Sequence, residues 1–250
     1  MPYLQTEVSA GPYIFTYKGF ALRYRKKYPR GPNINKCSHE QQRRNEYYAR
    51  RKRIWDIAEN FAPRDLWVTC TYKPSKRPEN MKAAQKDRSK FLRRIRDECN
   101  KCGIPFVYMG MTERGVRGAV HHHVIIRSGV DEGIIYKAWK EYGSIKISEI
   151  GSGDEIDFSA LTFDDDKTEH DDDIIKLAKY FVKGDSDKSE KTFTQSRNLR
   201  KPKIKKRIIR AERWVSKPKP KKGYEIQSIY DGFHDFSGYP YQDYIQVRRC

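Results

Sequence analysis

No stretch of this 250-residue sequence approaches the roughly 20 consecutive apolar residues that a membrane-spanning helix needs, and its opening, MPYLQTEVSAGPY, lacks the apolar core of a signal peptide. The expectation is a soluble chain in the cytoplasm with no membrane partner. Cysteine is scarce and scattered: Cys37, Cys70, Cys99, Cys102 and Cys250 form an odd set, which argues against a disulfide framework and for reduced thiols. The lone CNKC pair, Cys99 and Cys102, has no second CxxC to complete a zinc site, Cys37 and His39 being the only crude candidates. A GxxxxGK[ST] phosphate loop is missing as well, which leaves no ATP-driven helicase in this chain. Apolar residues make up only 37% of the sequence, so part of it should be solvated arms rather than core.

What is abundant is positive charge. Fifty-two Lys and Arg against 33 Asp and Glu leave a formal net charge of +19, which favours a polyanionic partner, nucleic acid ahead of a membrane. Between Arg197 and Lys222 thirteen Lys or Arg face one Glu. Arg197, Arg200, Lys201, Lys203, Lys205 and Lys206 are the candidate phosphate contacts, a flexible basic tail being the competing reading. The acidic stretch from Asp154 to Asp173 reads as a solvated loop.

Hydrophobic periodicity places the remaining elements. Ser38 to Phe61 reads as a helix with Tyr47, Ile54, Ala58 and Phe61 on one stripe, and Asp65 to Tyr72 as a core strand. A second helix from Glu79 to Cys102 ends at Gly103 and Pro105, and the run IPFVYMGMTERG is a strand joined to the next by a tight turn. A short helix bearing Trp139, the alternating strand SIKISEI and a helix from Asp171 to Gly184 follow. The C-terminal aromatic stretch adds a strand or hairpin, and the first forty residues read as an arm or edge with one short strand near Tyr13 to Tyr17. By this reading residues 1–37 form an N-terminal arm, 38–196 one domain, and 197–250 a basic segment with a terminal strand region.

Three of the six histidines stand side by side in GAVHHHVIIRSG. The β-branched residues around them make this a strand, on which side chains alternate faces. His121 and His123 therefore share one face, while His122 points the other way with Val120, Val124 and Ile126. Two neutral imidazoles two residues apart can lean toward one cation, which adjacent ones cannot. His122, on the apolar side, should tolerate Leu or Phe. Glu113, near the end of the paired strand, could complete a set of two His and one Glu, suited to Mg²⁺ or Mn²⁺ beside phosphate, with Zn²⁺ not excluded. In YFVK on the last helix, Tyr180 and Lys183 lie on one helical face, a nucleophile beside a cation.

The order WVTCTY, TERG, HHH, YFVK resembles the HUH endonuclease superfamily, and specifically the small rolling-circle replication initiators of bacterial plasmids and single-stranded DNA phages. The middle position of the motif departs from the family pattern by being His122 in place of an apolar residue. The resemblance, which runs over roughly residues 38 to 250, implies an α+β fold with a central antiparallel sheet of about five strands and helices packed on one face. It also implies site-specific nicking of single-stranded DNA at a replication origin. Tyr180 would be the nucleophile, forming a 5′-phosphotyrosine, Lys183 its helper, and a divalent metal would sit on His121, His123 and Glu113. A host helicase and DNA polymerase in a bacterial cytoplasm are the implied partners. Competing readings are a transposase or mobilisation relaxase of the same superfamily, and a non-catalytic basic protein that binds single strands through aromatic stacking.

Overall fold

The computed structural model describes residues 2–20, 39–115, 118–151, 172–182, 192–233 and 238–249. Its elements are β1 (Tyr3–Ala10), β2 (Tyr13–Phe20), α1 (His39–Asn60), β3 (Leu66–Tyr72), α2 (Met81–Lys101), β4 (Tyr108–Arg114), β5 (Val120–Ile126), α3 (Glu132–Trp139), β6 (Gly143–Glu149), α4 (Asp173–Val182), β7 (Thr192–Gln195), β8 (Lys203–Ile209), β9 (Tyr224–Phe233) and β10 (Pro240–Arg248). The fold is α+β with two antiparallel five-stranded sheets, one per compact unit.

The unit holding the three histidines is built from described residues of 60–162 and 172–200, with strand order β6-β3-β5-β4-β7. Alternation along its strands produces two different faces. Leu66, Val68, Cys70 and Tyr72 of β3 join Val120, Val124 and Ile126 of β5 in one apolar cluster. That cluster is closed by a stripe of α2 at helical spacing, Ala84, Phe91, Leu92, Ile95 and Cys99, and by Ile135 and Trp139 of α3. Each large side chain buried there contributes roughly 1.5–3 kcal/mol. The α2 helix starts where the Asn80 side chain accepts the Ala83 N–H, a local cap in the sequence itself.

The opposite face carries Trp67, Thr69 and Thr71 of β3, His121 and His123 of β5, and Glu113 of β4. Here α4 packs, burying Ile174, Ile175, Leu177, Ala178, Phe181 and Val182 after Asp172 caps it by accepting the Ile175 N–H. Helices therefore lie on both faces of this sheet rather than on one, because α4 has its own apolar stripe to bury. The β4–β5 hairpin is closed by Gly115 N–H to Ala119 O at 2.7 Å and Gly118 N–H to Gly115 O at 2.8 Å. Gly118 has φ +76°, where a side chain would be strained, and a Cβ on Gly115 would stand 3.0 Å from His121 Nε2.

The other unit is built from described residues of 1–59 and 201–250, with strand order β8-β1-β2-β10-β9. The first twenty residues, expected as an arm or edge, supply two of its five strands, and β2 sits centrally between β1 and β10. The C-terminal hairpin β9–β10 matches expectation. Helix α1 buries Ile57 and Ala58, but Tyr47 is exposed, and the Arg51 guanidinium lies 4.6 Å from the Tyr17 ring centre. The basic run KIKKRII, expected as a phosphate-binding segment or a flexible tail, forms the edge strand β8, paired among the described residues with β1 alone and exposed along nearly its whole length.

Candidate active site

Tyr180, His123 and Glu113, named from sequence on three separate elements, converge. The Tyr180 hydroxyl donates to Glu113 Oε1 at 3.3 Å, and His123 Nε2 lies 3.1 Å from the same oxygen. On the other side of the His123 ring, Nδ1 is 3.2 Å from Thr69 Oγ1. With Nε2–H donating to the carboxylate, Nδ1 accepts from the threonine hydroxyl, so every polar atom of the ring is used. Trp67 stacks on His123 with ring centres 5.1 Å apart and planes 15° from parallel, and its edge meets Tyr180 at 5.7 Å. Trp67 and Thr69 thus hold the imidazole on two sides. They alternate with the core residues of WVTCTY, and that period is the signal by which sequence could have found them.

His121 shares the face of His123, as the strand period required, and sits opposite Glu113 in the β4–β5 register. Burial, then the neighbouring His123, lowers its pKa against an opposing pull from Glu113, which keeps the ring neutral and able to donate a lone pair. A set of two imidazoles and one carboxylate on one face fits a divalent cation by donor chemistry. The two ring centres are 6.5 Å apart, whereas imidazoles sharing one ion at normal bond angles stand roughly 5 Å apart. Binding therefore needs a closure of roughly 1.5 Å and release of the His123–Glu113 hydrogen bond. As the side chains stand, no three His, Cys, Asp or Glu among the described residues are grouped closely enough to hold a metal.

His122 takes the opposite face but is not simply an apolar filler. It is fully buried, with Nδ1 2.8 Å from Thr112 Oγ1 and Nε2 2.8 Å from Tyr72 Oη. Arg88 Nη1 donates to Thr112 Oγ1 at 2.7 Å, and the Tyr72 hydroxyl donates to Asp87 Oδ2 at 3.4 Å. One tautomer satisfies all four bonds: Thr112 O–H donates to Nδ1, and Nε2–H donates to Tyr72 Oη. Burial first, then the Arg88 cation and the flanking histidines, pushes the His122 pKa down to about 3, so the ring is neutral. The sequence expectation that Leu or Phe would be welcome here is corrected, since either would strip partners from Thr112 and Tyr72.

The other sequence candidates are placed as follows. Lys183 lies outside the described residues, as does the acidic stretch up to Asp171. Arg197 and Arg200 sit in the turn after β7, where the Arg200 N–H donates to Asn60 Oδ1 at 2.8 Å. Lys201 precedes β8, on which Lys203 and Lys205 share one face and Lys206 takes the other, all exposed. Cys99 is buried in α2 and Cys102 is exposed at its end. No described helix is long and apolar enough to cross a membrane.

The segment running from just before β3 to just beyond β6 carries the whole His121, His123 and Glu113 set. Residues 65–157 match the family model of replication-associated protein ORF2/G2P. The match is consistent with a rolling-circle replication initiator and with DNA at an origin as the partner. Tyr180 lies beyond the matched residues, so its assignment rests on the geometry above. No curated protein and no solved structure matches the chain.

Proposed function

We propose that this protein nicks and rejoins single-stranded DNA at a replication origin, with Tyr180 as the nucleophile. The observation that carries the reading is the Tyr180 hydroxyl on Glu113 Oε1 beside His123, three residues from α4, β4 and β5 brought to one point. In the forward step the phenolic proton passes to Glu113, a bond forms between the tyrosine oxygen and phosphorus, and the bond from phosphorus to the 3′-oxygen breaks. The departing oxygen takes up a proton and becomes a 3′-hydroxyl that a host polymerase extends, while the 5′-phosphate stays on the tyrosine. Rejoining is the reverse transesterification, which conserves the phosphodiester and needs no nucleotide triphosphate.

A divalent cation, Mg²⁺ or Mn²⁺, held by His121, His123 and Glu113, would supply charge neutralisation on the scissile phosphate. Trp67 and Thr69 hold the His123 ring, and with the hydrogen moved to Nδ1, where it would donate to the Thr69 hydroxyl oxygen, Nε2 would be left with a lone pair for the cation. Lys183, next along the chain from α4, is assigned to the phosphate on its spacing from Tyr180. The exposed lysines of β8 with Arg197, Arg200 and Lys201 contribute backbone contacts to the DNA. Unwinding falls to a host helicase, and the chemistry belongs in a bacterial cytoplasm.

The test is incubation of the protein with the strand of its own origin and Mn²⁺, followed by a denaturing gel. A protein band carrying DNA, together with a fragment that a polymerase extends, is the expected result. Binding without any covalent species would leave only a DNA-binding protein.

A further inference from the structure

We infer that a second cleft in the histidine-bearing unit, remote from Tyr180, binds the phosphodiester backbone of the single strand being processed; the inference rests on the replication reading above. The cleft, of about 590 Å³, is lined by Arg96 and Asn100 of α2, Phe106 just before β4 and Tyr108 at its start, and Arg197 and Asn198 after β7. It contains two guanidinium groups and two amides and no carboxylate. A lining with two cations and no anionic side chain is complementary to an anion.

The cleft is built rather than incidental. Its far wall is stitched to β4 by Ser196 N–H to Tyr108 O at 3.0 Å, Tyr108 N–H to Ser196 Oγ at 3.2 Å and Asn198 Nδ2 to Phe106 O at 3.3 Å. Phe106 and Tyr108, ring centres 4.8 Å apart and only 6% and 4% exposed, form a packed floor. Arg96 is held over that floor by donating to Tyr108 Oη at 3.1 Å. Arg197 and Asn100 are exposed, and neither side chain has a hydrogen bond or ion pair among the described residues. Preorganised walls with unspent donors lower the ordering cost of binding.

The place of the cleft selects a strand over a free nucleotide. Tyr108 and Glu113 mark opposite ends of β4, five residues and thus roughly 17 Å apart. A phosphate in the cleft is too far from Tyr180 to be the scissile one, but it lies within reach of the same DNA strand. A chain of net charge +19 places polyanions nearby in any case. Buried rings beneath two arginines suit the backbone, which every sequence presents, rather than a particular base.

The test is fluorescence anisotropy of a labelled oligothymidylate of about thirty nucleotides with the full chain, over a range of salt, for wild type, Arg197→Gln and the double variant Arg96→Gln/Arg197→Gln. Affinity should fall about tenfold or more in the double variant, with the salt slope reduced by about 0.7 for each phosphate no longer neutralised. Arg197→Gln breaks no bond among the described residues, so its weaker binding reads the cleft without disturbing the fold. Lys137→Gln, an exposed charge on α3, should leave the slope less affected than either. Unchanged slope and affinity in both arginine variants would overturn the cleft assignment while the replication reading stands. Loss of thymidine monophosphate binding in Arg197→Gln, with oligothymidylate binding unaltered, would overturn the strand in favour of a free nucleotide. A wild-type chain that binds no oligothymidylate would overturn both readings.

Discussion

On one face of β5, His122 sits among Val120, Val124 and Ile126 with its two ring nitrogens satisfied by Thr112 and Tyr72; on the other, His121 and His123 meet Glu113, Trp67 and Tyr180. The three rings are consecutive in sequence and equal in chemistry, and only the strand period separates them. On the core side, hydrogen bonds run from Arg88 through Thr112, His122 and Tyr72 to Asp87 and use both ring nitrogens of His122. On the reactive side one carboxylate oxygen is shared by a phenol and an imidazole, an arrangement that a cation or a phosphate can reorganise. The difference teaches that strand alternation alone can give one residue type a fixed structural partner set on one face and a shared, exchangeable one on the other.

The contrast between the two faces breaks most completely at Tyr180. Tyr180→Phe removes only the oxygen proposed as the nucleophile, so it should bind the origin strand with near wild-type affinity and form no denaturation-resistant adduct on a gel. An adduct in that variant would move the nucleophile elsewhere. Tyr136 and Tyr142 are nearby alternatives along the chain, but Tyr142 stacks on Trp139 at 4.7 Å against the core cluster, and Tyr136 belongs to the same helix as Trp139.

Next in size is Thr69→Val, which keeps shape and removes the hydroxyl facing His123 Nδ1. Outer partners of ligating histidines are worth about 10–100-fold in metal affinity. Nicking should therefore need that much more Mn²⁺ for half-maximal rate and recover at saturation. An unchanged metal dependence would reduce Thr69 to a packing residue. The smallest effect is expected on β8. Neutralising Lys203, Lys205, Lys206 and Arg207 together should flatten the salt dependence of single-strand binding by about 0.7 per phosphate contact while the cleavage rate of bound DNA holds. An unaltered slope would leave these lysines the role of protecting an exposed sheet edge from pairing with other chains.

Much of this architecture is legible from residue spacing. The separation of His121 and His123 from His122 follows from a period of two, and the α2 stripe from a period near 3.6, because both signals are local. What spacing hides depends on which strands pair. Thr69 stands opposite His123 only because β3 neighbours β5, and the partners of His122 come from β3 and β4, with Arg88 and Asp87 of α2 behind them. The strand β8 is masked by its own charge: the Lys and Arg of KIKKRII make it read as a solvated run until β1 supplies a ladder. The first two strands are likewise underestimated from sequence, since their pairing with β8 and β10 spans nearly the whole chain.

Whether consecutive histidines serve opposite faces can be read from nicking rate against Mn²⁺ concentration for His121→Ala, His122→Leu and His123→Ala, each paired with a chemical-denaturation curve. His121→Ala and His123→Ala should lose nicking by orders of magnitude per folded molecule, with some loss of stability at His123, which is buried against Trp67. His122→Leu should instead lose about 1–3 kcal/mol of stability, from the unpaired Thr112 and Tyr72 hydroxyls, and keep most of its rate per folded molecule. An inactive but stable His122→Leu, with the two flanking variants at wild-type rate, would refute that division of roles.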